Sequence, residues 1–148
     1  MRKISNKIIS GLLVLSIAAF GLTGVASKAA SSDNNIGFSF HVNENQGASF
    51  GADPRYRTTS KTNNCWKVNL TYSGEGVGTC TNFWLGKGTT IVSNHVLVKQ
   101  GNGAKYRSAY ETASESNVKL RAQNNNQSIN GYDVAGYWDE ETGVFKEN

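Results

Sequence analysis

The sequence predicts an all-β domain, an antiparallel β-sandwich of about seven or eight short strands, and three features carry that expectation. Apolar side chains recur at every second position over most of the chain, which is the period of a strand with one buried face. Glycine and asparagine punctuate these runs and supply the positive φ angles that tight turns require. A single stretch, Tyr106 to Ala113, departs to helical spacing through Tyr106, Ala109, Tyr110 and Ala113, so one or two helical turns are expected there.

The elements follow in order. Arg2, Lys3 and Lys7 precede a mostly apolar stretch, Ile8 to Val25, which ends in the small-residue exit "GVASKAASS". That is the pattern of a secretory signal peptide, cleaved after Ala26 or Ala29. About 18 apolar residues also approach the length of a membrane anchor, but Ser10, Gly11, Ser16 and Gly21 break the stretch. The expected organisation is therefore a signal peptide over 1–26, a short leader over 27–35 and one domain over 36–148, secreted and without a stable membrane span. Removing residues 1–26 takes the net charge from +4 to +1, with 12 basic against 11 acidic residues. The basicity belongs to the export signal, which argues against a nucleic-acid partner.

Within the domain, Ile36, Phe38, Phe40 and Val42 form the first alternating run, and Trp66, Val68, Leu70 and Tyr72 the second. Phe83 and Leu85, "TTIV" at 89–92 and "HVLV" at 95–98 continue the pattern. Val118, Leu120 and Ala122, then Tyr132, Val134, Gly136 and Trp138, complete it. Parity suggests two hairpins. One sets Tyr72 opposite Thr79 across "SGEGVG"; the other sets Ala122 opposite Val134, with Gly136 leaving room beside Leu120. After Trp138 come Asp139, Glu140 and Glu141. Successive strand residues point to opposite faces and no calcium-loop spacing is present, so a solvated acidic turn is expected rather than a cation site.

Cys65 and Cys80 are the only thiols, His41 and His95 the only histidines. Two cysteines in an exported chain suggest a bridge. The first hairpin would instead set Cys80 opposite Thr71, about 20 Å along the strand from Cys65, too far for a disulfide. The hairpin pattern involves more residues and favours unbridged thiols. His41 and His95 read as surface histidines. A Cys-His nucleophile would need Cys65 or Cys80 beside His95, and no hydrolase motif or zinc spacing accompanies them. No catalytic residue, metal or cofactor is expected. Asn69-Leu70-Thr71 and Asn126-Gln127-Ser128 match the glycosylation triplet, a frequent match in an asparagine-rich chain. Tyr56, Trp84, Tyr106, Tyr110 and Tyr137 are not forced into the core by the pattern. Trp84, with Asn82 beside it, and Tyr137 are the candidate ligand-binding residues, a platform on an open face or core beneath a covered one.

The strings "KVNLTY", "TNFWL", "YRSAYETAS", "LRAQNNN" and "GYWDEETG" together resemble a family of short exported proteins from Bacillus-type Gram-positive bacteria that is classed as a domain of unknown function. The likeness runs from about Phe38 to Gly143 and is most specific in the last two strings. It implies an exported, non-enzymatic small protein. In size, export and strand content the chain is also similar, more distantly, to the lactococcin 972 type of bacteriocin, without a matching functional residue. The expected function is extracellular or wall-associated binding of a cell-wall or surface component, with a bacteriocin-like antibacterial protein and a thiol hydrolase as the alternatives.

Overall fold

The computed structural model describes residues 34–51 and 53–148; the expected signal peptide and most of the leader lie outside the described residues. Two antiparallel sheets pack face to face. The first has the order β1 (Ile36–Val42), β10 (Tyr132–Asp139), β4 (Trp66–Ser73), β8 (Lys105–Arg107). In the second, β9 (Ser116–Asn124) is flanked by β5 (Cys80–Lys87) on one side and by β2 (Ser49–Phe50) and β3 (Arg55–Arg57) on the other. The far edge of β5 pairs with β6 (Thr90–Ile91) and β7 (Val96–Lys99). The expected helical segment shrinks to one 3₁₀ turn, Glu111–Ala113, because Tyr106 is drawn into β8 opposite Lys67.

The alternating runs face one another across the sandwich. Phe38, Val42, Trp66, Val68, Leu70, Tyr132, Val134 and Trp138 come from the first sheet; Phe83, Leu85, Val96, Val98, Val118, Leu120 and Ala122 come from the second. Each such side chain contributes about 1.5–3 kcal/mol when fully buried. Phe38 and Phe83 meet across the layers at 5.8 Å between ring centroids. The Tyr132 and Thr81 hydroxyls share a buried hydrogen bond of 3.0 Å between the same layers.

Both expected hairpins are absent. β4 and β5 lie in different sheets, as do β9 and β10. The loop after Ser73, with Gly76 at φ 109° and Gly78 at φ 96°, carries the chain from one layer to the other. Alternation specifies which face of a strand is buried but not which strand lies beside it, so the faces are as expected and the neighbours differ. Gly136 likewise makes room elsewhere than beside Leu120. A Cβ there would collide with the Asn69 carbonyl oxygen and press on the Phe38 ring. The close approach occurs at a bulge: Leu70 pairs with Gly136 and Tyr72 with Ala135, leaving Thr71 as the extra residue. The bulge resets the alternation, so Ser73 is buried and Tyr72 is exposed, contrary to the regular pattern.

Candidate functional site

Residues that alternate with the core positions of the second sheet build its outer face. One cross-strand row runs over four strands' width. Phe50 on β2 is opposite Arg121 on β9, Arg121 is opposite Trp84 on β5, and Trp84 stacks on His95 just before β7. The Arg121 guanidinium lies 4.5 Å from the Phe50 ring centroid. It crosses β5 over Gly86, where any Cβ would strike its side chain, and donates to the Gly88 carbonyl. Trp84 and His95 are nearly parallel, 4.5 Å apart at 18°. Asn82 Nδ2 lies 3.0 Å from His95 Nδ1; with the amide donating, Nδ1 accepts and the imidazole carries its proton on Nε2. Burial holds His95 below the usual histidine pKa, so the ring is neutral at pH 7.

This row sits among residues of one electrostatic character. The strands of the second sheet contain no aspartate or glutamate, and of their cations Arg55 and Arg57 turn inward, Arg55 paired with Glu140 and Arg57 fully buried. Lys99, Lys119 and Arg121 belong to the outer face by register, with Cys80, Gly86 and Trp84 as their partners. Phe50, Tyr56, Ile91 and Leu97 project from the same face and are exposed by 61%, 53%, 44% and 49%. Trp84 Nε1 and Arg121 Nε have no hydrogen-bond acceptor among the described residues. Both atoms are buried, so what the face offers a partner is the lysines and the exposed apolar groups, a surface suited to an anionic, partly apolar partner.

The run Asp139 to Glu141 is not a solvated turn. All three residues are buried, at 1%, 6% and 2% exposure, because Arg55 and Arg57 reach them from the other sheet. Arg55 grips Glu140 with two nitrogens, one of them 2.9 Å from Oε1. Glu141 accepts from the Thr58 amide and hydroxyl at 3.0 and 2.6 Å and from the Thr59 amide at 2.8 Å. Asp139 accepts from the amides of Glu141 and Asn34. The buried Arg57 guanidinium donates to the carbonyls of Glu140, Lys61 and Asn64. The carboxylates diverge onto separate partners, and among the described residues no group of three His, Cys, Asp or Glu is arranged to hold a metal ion. The arrangement is a clasp between the end of β10 and the chain around β3. A sequence signal existed: Arg55 and Arg57 stand two apart and so share one face of a strand, an unusual pair to bury without acids.

The candidate residues from sequence separate. Asn82 and Trp84 are on the second sheet's outer face, whereas Tyr137 is on the first sheet with the Lys67 ammonium 5.5 Å from its ring. Trp84 is only 2% exposed and supports the face from beneath; the ring that meets solvent is His95. Sequence reasoning missed Phe50, Arg121 and Leu97, whose cross-strand neighbours depend on long-range register. Cys65 and Cys80 are both free. Thr79, next to Cys80, bonds to Ser73, eight residues along β4 from Cys65 or about 26 Å. Cys80 lies opposite Lys99, four residues or about 13 Å along β7 from His95, so Cys80 does not meet that imidazole. A cleft of about 630 Å³ is lined by β1 residues including Ile36, Phe38 and Phe40 and by Phe50, Asp53 and Arg55. The Arg55 side chain at its end is already engaged by Glu140.

Fold and surface define a small two-layer β-sandwich with a cationic, aromatic outer face. The chain belongs to the DUF2712 family, proteins of unknown function, whose family model matches residues 25–142. No curated protein and no solved structure matches it.

Proposed function

We propose that this chain is an exported, non-catalytic binding protein that works outside the cell or on its wall, and that it binds through the outer face of the second sheet. The observation that carries the reading is the composition of that face: cations without a single strand carboxylate, beside four exposed large apolar side chains. Isolated apolar residues are common on protein surfaces; several beside lysines on strands that carry no acid indicate a contact surface. The export pattern at the start of the sequence supports the extracellular location.

Retention of the processed chain on isolated cell envelopes tests this. Replacing Phe50 and Leu97 together by Ser leaves the core intact, since both side chains point away from it, and should reduce retention about tenfold. Equal retention of this variant and the parent chain rejects the face. Trp84→Ala is the wrong probe: it removes the support of His95 and leaves a cavity, at a cost of about 3 kcal/mol in stability.

A further inference from the structure

We infer that the partner of this face is an anionic phospholipid surface, an inference that rests on the binding face proposed above. The placement of the residues points to a layered partner. Tyr56 and Phe50 occupy one flank of the face, on β3 and β2; Ile91 and Leu97 occupy the other, on β6 and β7. Three strand spacings separate the flanks, about 14 Å. Lys119 lies between them on β9, with the buried Arg121 guanidinium beneath the same face, and Lys99 extends the β7 flank. A face with apolar groups at both margins and cations within matches a bilayer interface. The apolar ends enter the boundary between headgroups and acyl chains while ammonium groups stay at the phosphates. A tyrosine at the margin is itself a favoured interfacial residue.

The absence of carboxylates is the second argument. Each lysine or arginine held near an anionic leaflet adds attraction, and each acid would subtract it. Aspartates and glutamates of the described chain lie in loops, in the 3₁₀ turn and its flanks, on β10 and in the C-terminal segment. Charge is therefore segregated although the total is near balance. A polyanionic wall polymer would use the cations but give no reason for Phe50, Tyr56, Ile91 and Leu97 to stand in water; a lipid surface uses both.

Co-sedimentation of the processed chain with vesicles decides the matter. Binding is expected to vesicles of equal phosphatidylglycerol and phosphatidylcholine. It should be at least tenfold weaker to phosphatidylcholine alone and largely reversed by raising salt from 0.1 to 0.5 M, as screening requires. Lys99→Glu with Lys119→Glu should weaken binding about a hundredfold. Phe50→Ser with Leu97→Ser should weaken it about tenfold while preserving its salt dependence. Circular dichroism and melting of each variant establish that the fold is kept. Absence of binding to the anionic vesicles, or binding that neither double variant changes, overturns the lipid assignment. Retention on lipid-free walls without vesicle binding overturns the lipid partner but leaves the binding face standing. Failure on both walls and vesicles removes the two together.

Discussion

Asp139 is the residue with the most perturbed environment. Burial, with the neighbouring Glu140 charge, pushes its carboxyl up to about 7, against the amides of Glu141 and Asn34 and the Arg55 guanidinium. A carboxyl with a raised native pKa binds more protons folded than unfolded, so its contribution is greatest at acid pH and is lost as pH rises through about 7. His95 has the opposite sign. Its native pKa is depressed by burial, so stability falls as pH drops below the ordinary histidine value of about 6.5. The two partly cancel between pH 5 and 7. Asp139→Asn should remove a contribution of about 2 kcal/mol that grows on acidification, leaving a protein whose melting temperature falls from pH 7.5 to 5. A pH series of thermal melts reads this directly, and a variant with the parent's pH profile would refute the burial argument. Little of this was legible in the sequence. The three acids stand out, but their partners Arg55 and Arg57 are more than eighty residues away, and nothing local announces that contact.

The longer strands were the legible part of the fold. The first alternating run coincides with β1, and the runs at Trp66, Val118 and Tyr132 fall within β4, β9 and β10, because a seven- to nine-residue run with one buried face carries several repeats of its own period. β2, β3 and β8 are two or three residues long and carry one repeat at most, so they exist through their neighbours. The bulge beside Gly136 is also set by tertiary contact, since only the approach of β4 makes a side chain there impossible. Gly136→Ala must push the Asn69 carbonyl away and separate β4 from β10, at a cost of about 3 kcal/mol or more. Gly37 on the adjacent β1 is the control. A Cβ there meets only the Gly136 oxygen at 3.9 Å, so Gly37→Ala should change stability by no more than about 0.5 kcal/mol. Urea denaturation of the pair checks both, and a tolerated Gly136→Ala would mean that the bulge lies elsewhere.

At the scale of the whole molecule the decisive feature is that consecutive strands repeatedly change sheets. β1 pairs with β10, from the opposite end of the domain, and β4 and β5, six residues apart in sequence, do not pair at all. Such connections put β5, with Trp84, at the centre of one sheet and direct its outer residues to a face assembled from five other strands. A β4–β5 hairpin with the same parity would bury nearly the same residues and would destroy that face, which is why hydrophobic pattern alone cannot identify the binding surface. The native thiols distinguish the two arrangements. Cys80 is directly opposite Lys99 in the antiparallel β5–β7 pair, where α-carbons lie about 4.5–5.5 Å apart, within the range a disulfide spans. Under the hairpin arrangement Cys80 would instead face Thr71. Lys99→Cys should therefore form an intramolecular bridge to Cys80 on mild oxidation, seen as one thiol left for alkylation and a mass two hydrogens lower. Thr71→Cys should leave three alkylatable thiols in the unfolded chain. A bridge in the second variant but not in the first would replace the crossed arrangement with the hairpin, and the cationic face would go with it.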